Sequence, residues 1–208
     1  MMMEKKVSGP KPHPVLESIQ HSPIATVVSD PKLADNPIVA VNAAFLELTG
    51  YSEEEVIGRN CRFLRGPDTE NSQTAKLREA IFERRPTLAE LINYRKDGSR
   101  FRNAVMVAPL YDDDGVVEYF VGSQIAVKAD EESIATVRQE QSAAIVERLS
   151  PRQREILQQM AQGFRTKQIA YMLSLSEKTV QMHRMLLFKK LETSNAADAV
   201  RIAVEAGL

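Results

Sequence analysis

The side chains with the most distinctive chemistry lie in the stretch GRNCRFLRGPDTE, residues 58–70. Cys61 is the only cysteine in 208 residues, and Arg59, Arg62 and Arg65 lie within four positions of it. A lone cysteine often packs as a small buried hydrophobic residue. Arginines grouped beside an apolar surface can instead bind a phosphate with paired hydrogen bonds. The stretch therefore indicates either a thiol beside a phosphate site or a buried cysteine among solvated arginines.

A second chemical signal is a set of three amides in consecutive predicted strands: Asn93, Asn103 and Gln124. Asn103 and Gln124 share their strand faces with apolar residues, and a buried amide without partners costs a few kcal/mol. The three could pair with one another. They could also bind a flat heterocycle with alternating donors and acceptors, and Gly122 leaves room for such a ring near the backbone.

Composition narrows the class of protein. The chain is 43% hydrophobic and 26% charged, which is typical of a soluble globular protein. One cysteine cannot form an internal disulfide, and the three histidines are scattered, so we expect no metal site. No signal-peptide pattern and no apolar run of about 20 residues is present. These features predict a cytoplasmic protein that does not bind membranes.

Charge is distributed unevenly along the chain. Residues 149–208 contain nine lysines and arginines against five aspartates and glutamates, a net charge of +4, whereas the whole chain carries −1. The remaining residues therefore carry −5. An acidic part joined to a basic part suggests two functions, the basic one facing a polyanion.

The first part of the chain predicts an α+β domain over residues 17–127, after a flexible proline-containing segment at 1–16. Turn signals at Asp97-Gly98 and around Gly115 connect three long strands into a meander. Leu77, Ile81 and Phe82 are expected on one face of a helix. The predicted strands are 24–30, 38–42, 87–96, 99–111 and 116–127, and the predicted helices are 43–51, 52–58 and 74–85. These elements form one five-stranded antiparallel sheet with helices.

The last two strands are apolar on both faces. Phe120 and Gly122 lie on one face of the final strand, and Val121 and Ile125 lie on the other. A sheet with one face in water would alternate more cleanly, so we expect a partner on its second face.

The rest of the chain reads as helical. Residues 128–148 predict a connecting helix, which could equally be a solvated linker. Residues 149–208 predict four helices, the first beginning with Ser150 as its N-cap and Pro151 at its first position. The three-residue turn at 174–176 gives helix-turn-helix spacing. From these residues alone, the part could be a small bundle or a DNA-binding unit.

Residues 24–127 resemble a light-oxygen-voltage (LOV) domain, a flavin-binding type of PAS domain. The segment GRNCRFLRG matches that family's signature at all specified positions except Arg65, where glutamine is usual. Further segments match in order: VVSDP, DNPIVAVN, LTGYSEEEVIG, LINYRKDGSRFRN and YFVGSQ. The resemblance implies bound FMN and a reversible bond between the Cys61 sulfur and flavin C4a under blue light.

The resemblance also implies roles for individual residues. Asn93 and Asn103 would bind the pyrimidine edge, Asn60 the ribityl chain, and Arg62 and Arg78 the phosphate. Gln124 would rotate its amide when flavin N5 gains a proton. Arg65 cannot accept a hydrogen bond, so it would add a phosphate contact or alter affinity. The full expected cofactor set is Val27, Ser29, Asn60, Cys61, Arg62, Arg65, Arg78, Asn93, Asn103 and Gln124.

Residues 149–208 are similar to the LuxR-type helix-turn-helix, notably in GFRTKQIA and LSEKTVQMHR. The resemblance implies binding to double-stranded DNA. The residues expected to face DNA are Thr166, Lys167, Lys178, Thr179, Gln181, Met182 and Arg184. The residues expected in a dimerisation helix are Ala196, Val200 and Ala203. Gln181 stands where lysine is frequent, which allows an amide–adenine contact.

Together the two resemblances predict a blue-light-regulated transcription factor that is not an enzyme. We expect a monomer in the dark, with the helix-turn-helix docked on the sheet, and a homodimer in the light. A redox- or ligand-sensing PAS regulator is an alternative that would show no light-dependent bond. A flavoenzyme is disfavoured because no acid–base pair converges near Cys61 and no G-x-G-x-x-G motif occurs.

Overall fold

The computed structural model describes residues 18–112, 114–127, 134–193 and 195–208. The segment at 1–16 and the start of the predicted connecting helix, 128–133, lie outside the described residues.

A five-stranded antiparallel sheet forms the centre of the first domain, which confirms the predicted fold class. The strand order is β2-β1-β5-β4-β3, so the first and last strands in sequence, β1 and β5, are neighbours. The hairpin between β3 and β4 turns at Gly98, whose φ of +82° suits glycine. The strands are β1 (Ala25–Ser29), β2 (Ile38–Val41), β3 (Thr87–Tyr94), β4 (Arg100–Tyr111) and β5 (Val117–Val127).

Short helices cover one face of this sheet, which we call the inner face. Their ends follow local sequence signals. Asn42 accepts a hydrogen bond from the Phe45 amide at 3.1 Å, and Ser52 and Glu55 form a capping box. The helices are α1 (Ala43–Thr49), α2 (Glu53–Val56) and α3 (Asn71–Phe82), and a 3₁₀ turn spans Cys61–Leu64.

The predicted apolar face of α3 needs one correction. Leu77 and Ile81 are half-buried, whereas Phe82 is 86% exposed. Ile81 lies four residues after Leu77 and shares its face, but Phe82 lies a further ~100° around the helix. The helix ends at this residue, and Arg84, with φ +56°, redirects the chain.

Five helices follow the sheet domain. The second of them begins with Ser150 as N-cap and Pro151 as first residue, as predicted, and Gln153 completes a capping box. The last four form the predicted all-α unit. The helices are α4 (Ile134–Glu147), α5 (Pro151–Ala161), α6 (Thr166–Met172), α7 (Glu177–Lys190) and α8 (Ala196–Glu205).

The outer face of the sheet is covered by these C-terminal helices. Met106 and Val121 from the sheet belong to one buried apolar cluster together with Ile156 and Val200 from the helices. Helix α8 packs against β3 and β4 on one side and against α4 and α5 on the other. The partner expected for the second face is therefore the chain's own helix-turn-helix unit.

Buried and half-buried polar contacts accompany this packing. The Ser22 hydroxyl donates to Asp198 of α8 at 2.9 Å. Arg165, just before α6, forms an ion pair with Glu118 of β5 and donates to the Tyr111 carbonyl at 3.2 Å. Because these bonds need specific partners, they fix the orientation of the helices on the sheet.

Gly163, which follows α5, lies where the backbones of the two parts approach closely. Its φ is +88°, and a Cβ placed there would lie 2.2 Å from the Pro109 carbonyl oxygen and 2.9 Å from the Tyr111 ring. Tyr111 also donates its amide to the Gly163 carbonyl at 3.2 Å. A side chain at this position is incompatible with the docked arrangement.

The substitution Gly163→Ala is expected to separate the helices from the sheet. The matched control is Gly207→Ala, since Gly207 has φ +80° but nothing within 4 Å of its Cβ position. Both variants carry the left-handed backbone penalty of about 1 kcal/mol, and only the first adds the clash. Small-angle scattering in the dark should give a larger radius of gyration for Gly163→Ala alone, with circular dichroism confirming folding. An unchanged radius in a folded variant would contradict this account.

Candidate functional sites

A cavity of about 480 Å³ lies between the inner face of the sheet and the short helices. This volume is in the usual range for small-molecule and cofactor sites. The structure brings nine of the ten predicted cofactor residues to its wall, and the tenth, Asn103, lies among them within one hydrogen bond. The nine lining residues are Val27, Ser29, Asn60, Cys61, Arg62, Arg65, Arg78, Asn93 and Gln124.

The three predicted amides form a chain across neighbouring strands. The Asn103 amide nitrogen donates to Asn93 Oδ1 at 2.9 Å and to Gln124 Oε1 at 2.8 Å. All three side chains are buried, and Asn103 is fully so. Mutual pairing satisfies the donors of Asn103, but its Oδ1 has no partner among the described residues. An orphaned buried acceptor costs free energy unless a ligand donates to it.

Cys61 opens the 3₁₀ turn on the opposite side of the cavity. Asn60 precedes it, and the Asn60 side-chain oxygen accepts from the Arg62 amide at 3.1 Å, which holds the start of the turn. The Cys61 side chain is half-buried, and burial raises its pKa to about 12. At neutral pH this cysteine is therefore a protonated thiol rather than a thiolate.

Arginines surround one end of the cavity. Arg62 forms an ion pair with Asp35, Arg65 donates to Thr74 at 3.4 Å, and Arg78 lies exposed on α3. All three line the same cavity. Their separation along the chain and their convergence in space suit a bound phosphate group.

Asp35 and Asn36, at the same end of the cavity, were not predicted from the sequence. Both have positive φ angles, +71° and +47°. Their backbone carbonyls accept hydrogen bonds from the Asn60 side-chain nitrogen, Nδ2, at 2.6 and 3.3 Å. Asn36 also has a buried Oδ1 without a partner among the described atoms. The Asp35-Asn36-Pro37 run is a turn signal that could have directed attention to this loop.

The second candidate site is the exposed face of α7. Lys178, Gln181 and Met182, all predicted to face DNA, are exposed here, as is Met185, which the prediction omitted. Their spacing of three, four and seven residues places them on one face. Val180 and Leu187, fully buried, lie on the opposite face. Met185 was not predicted because its exposure depends on how the helices of the folded unit pack together.

The other predicted DNA residues lie differently. Arg184 is half-buried, donates to Thr166 at 2.6 Å and lies against the Phe188 ring. Burial lowers the pKa of the Arg184 guanidinium. Thr179 donates its amide to Ser176 at the start of α7, and Lys167 is exposed on α6. Of the predicted dimerisation residues, Ala196 is half-buried, and Val200 and Ala203 are buried in the cluster shared with the sheet.

Comparison with known families assigns both parts of the chain. Residues 23–125 match the PAS domain family, and residues 147–203 match the luxR family of bacterial regulatory proteins. A solved light-oxygen-voltage domain, studied with a flavin analogue, is 40% identical, with a TM-score of 0.56 over 62% of this chain and 96% of that one. The chain is a LOV domain joined to a LuxR-type helix-turn-helix.

Curated relatives of the LOV domain are named as light receptors. "Blue-light-activated histidine kinase 1" from Erythrobacter litoralis (strain HTCC2594) is 55% identical over 52% of this chain and 30% of that protein. "Blue-light photoreceptor" from Listeria monocytogenes is 40% identical over 65% of this chain and 53% of that protein. The matches thus span about half of these relatives or less.

The LOV cavity fits a flavin. The orphaned Asn103 acceptor, the amide chain and the arginines match the needs of a polar ring edge and a phosphate, and apolar residues such as Val105 and Leu91 line the space between. Within the described ranges, no group of three metal-ligating side chains occurs, and no helix is long and apolar enough to cross a membrane.

The raised pKa of Cys61 predicts a characteristic pH dependence of alkylation. Only the thiolate reacts with iodoacetamide, and with a pKa near 12 its fraction at pH 8 is roughly 10⁻⁴. The rate should therefore rise about tenfold per pH unit from 7 to 10 without a plateau. The control is the same protein unfolded in urea, whose rate should level off near pH 9. A plateau below pH 10 in the folded protein would show that the buried thiol ionises normally.

Proposed function

We propose that this protein is a blue-light photoreceptor that regulates its own binding to DNA, using FMN as the cofactor. The observation that carries the proposal is that one sheet forms both the wall of the flavin-type cavity and the docking surface of the helix-turn-helix. Gln124 and Gly122 line the cavity, whereas Val121, on the same strand, packs in the cluster that holds α8.

Bound FMN would absorb the blue light and supply an electrophilic carbon, C4a, and a proton acceptor, N5. Cys61 would supply both the sulfur and the proton for a reversible bond to this ring, giving up its S–H bond. The high pKa of Cys61 supports this role, because the thiol keeps its proton in the cavity. The turn fixed by Asn60 holds the sulfur at the wall, which gives the advantage of proximity.

Gln124 converts the change at N5 into a change in the sheet. Its Oε1 accepts from Asn103 at 2.8 Å in this structure. An amide presents either an acceptor or a donor, so a proton on N5 would favour rotation of Gln124, and that rotation would remove this bond. Gln124 pairs with Ala25 and Val105 on the adjacent strands, and its neighbours Ser123 and Ile125 point to the outer face. The rearrangement thus reaches the surface on which α8 rests.

The docked arrangement suggests which step light controls. The predicted dimerisation residues Val200 and Ala203 are buried, whereas Gln181 and Met182 on α7 stay exposed. Docking therefore blocks dimerisation more than it blocks contact with bases. A docking preference of about 3 kcal/mol would keep the open form near 1% in the dark. Light that removes this preference would free the helix-turn-helix unit to dimerise.

The test compares two DNA duplexes, one selected from a random pool with illuminated protein and one with half of that site scrambled. Light should tighten binding to the complete site at least tenfold and change binding to the single half-site less than twofold, because only the complete site uses a dimer. Fluorescence anisotropy in dark and light, at several salt concentrations, measures both.

The control for light is Cys61→Ala, which should bind FMN, lose the reversible bleaching of the blue absorption band and keep its dark affinity for both duplexes. Equal light effects on both duplexes would mean that docking covers the DNA face instead. Equal dark and lit affinities of the unmodified protein would contradict regulation by light altogether.

A further inference from the structure

The exposed face of α7 has an unusual chemical character for a DNA-reading helix. It consists of Lys178, Gln181, Met182, Met185 and Lys189, which recur at helical spacing and are all exposed. No arginine lies on it, and exposed Glu177 and Leu186 border it on its two sides. The arginine of the helix, Arg184, is held inside the unit by its bond to Thr166 at 2.6 Å and by the Phe188 ring.

The missing arginine matters because base pairs differ in what they offer in the major groove. Guanine presents two acceptors that suit arginine or lysine, whereas adenine presents an acceptor and a donor that suit an amide. Gln181, at the centre of the face, has that pair of groups. Lys178 and Lys189 lie near the two ends of the helix, on either side of Gln181.

The two methionines add a second signal. Met182 is 47% exposed and Met185 66% exposed, although each would gain free energy by burial. They lie beside Gln181 and between the lysines. A partner that buries the methionines and pairs with the lysines has an apolar group next to negative charge. The thymine C5-methyl group is the apolar feature of the major groove. Flexible thioethers adapt well to such small contacts.

We propose that Gln181 reads an adenine and that Met182 and Met185 contact thymine methyl groups, so that each half-site carries consecutive A·T pairs beneath the centre of α7. This specificity rests on the proposed function, since it requires the helix-turn-helix to bind DNA. It does not depend on light or on the flavin.

Base analogues test each contact separately. In the duplex selected by the illuminated full-length protein, 7-deazaadenine removes the N7 acceptor and deoxyuridine removes the thymine methyl. At the positions beneath α7, the first should weaken binding by roughly threefold to tenfold, the size of one lost hydrogen bond. The second should weaken it about fourfold per methyl group, as for one buried CH₂ group.

Variants of the protein, combined with the base analogues, show which side chain makes each contact. Gln181→Ala should bind the normal and 7-deazaadenine duplexes equally, and Met182→Ala with Met185→Ala should bind thymine and deoxyuridine duplexes equally. The matched control is Gln158→Ala, an exposed glutamine on α5, which should remain sensitive to both analogues.

The outcomes separate this inference from the proposed function. The A·T assignment would be overturned, with DNA binding intact, by either of two results. One is sequence-selective binding with an affinity that neither analogue changes, and the other is selected half-sites with G·C pairs beneath α7. Absence of any duplex binding at low salt, in dark and light, would overturn both.

Discussion

A sheet that is apolar on both faces constrains the whole molecule. In β4 and β5, Val105 and Gly122 face the cavity, while Met106 and Val121 face the C-terminal helices. Neighbouring side chains in a strand point to opposite faces, so both surfaces must be covered to keep apolar area from water. The inner helices provide one cover, and the helix-turn-helix provides the other. Uncovering either face therefore costs free energy.

Because the two surfaces belong to one sheet, the distance between the cavity and the docked helices is short. Gln124 lies in the amide chain beside the cavity, and one peptide bond separates it from Ser123 and Ile125 on the outer face. A change in the pairing of Gln124 therefore needs no long pathway to reach α8. The outer cover is held by a mixture of apolar packing and specific bonds, such as that from Ser22 to Asp198. Specific bonds weaken at small displacements, so the hold of the outer cover depends on the exact position of the sheet.

Much of the fold was predictable because its signals are local. Asp97-Gly98 marks the hairpin, Ser52 with Glu55 marks a helix start, and Ser150 with Gln153 marks another. The cofactor residues were also placed together, but by family resemblance, and spacing alone left the amides and arginines with ordinary alternatives.

The features that could not be predicted from the sequence depend on tertiary contacts. Asp35 and Asn36 reach the cavity through a loop some 25 residues before Asn60, and periodicity says nothing about such a meeting. On α7 the sequence gives the spacing but not which side faces outward. That is decided by packing through Val180 and Leu187, which turns Arg184 toward Thr166 and leaves Met185 exposed. Phe82 is exposed because it lies about 100° around the helix from Ile81.

The most direct measurement of the central idea is hydrogen–deuterium exchange along α8, in the dark and under blue light. If a bond at Cys61 loosens the outer face of the sheet, amides in Ala196–Glu205 should exchange faster on illumination and recover in darkness, in step with the flavin absorbance. Bleaching and recovery of the flavin with no change in α8 exchange would contradict the account, because the photochemistry would then stop at the inner face.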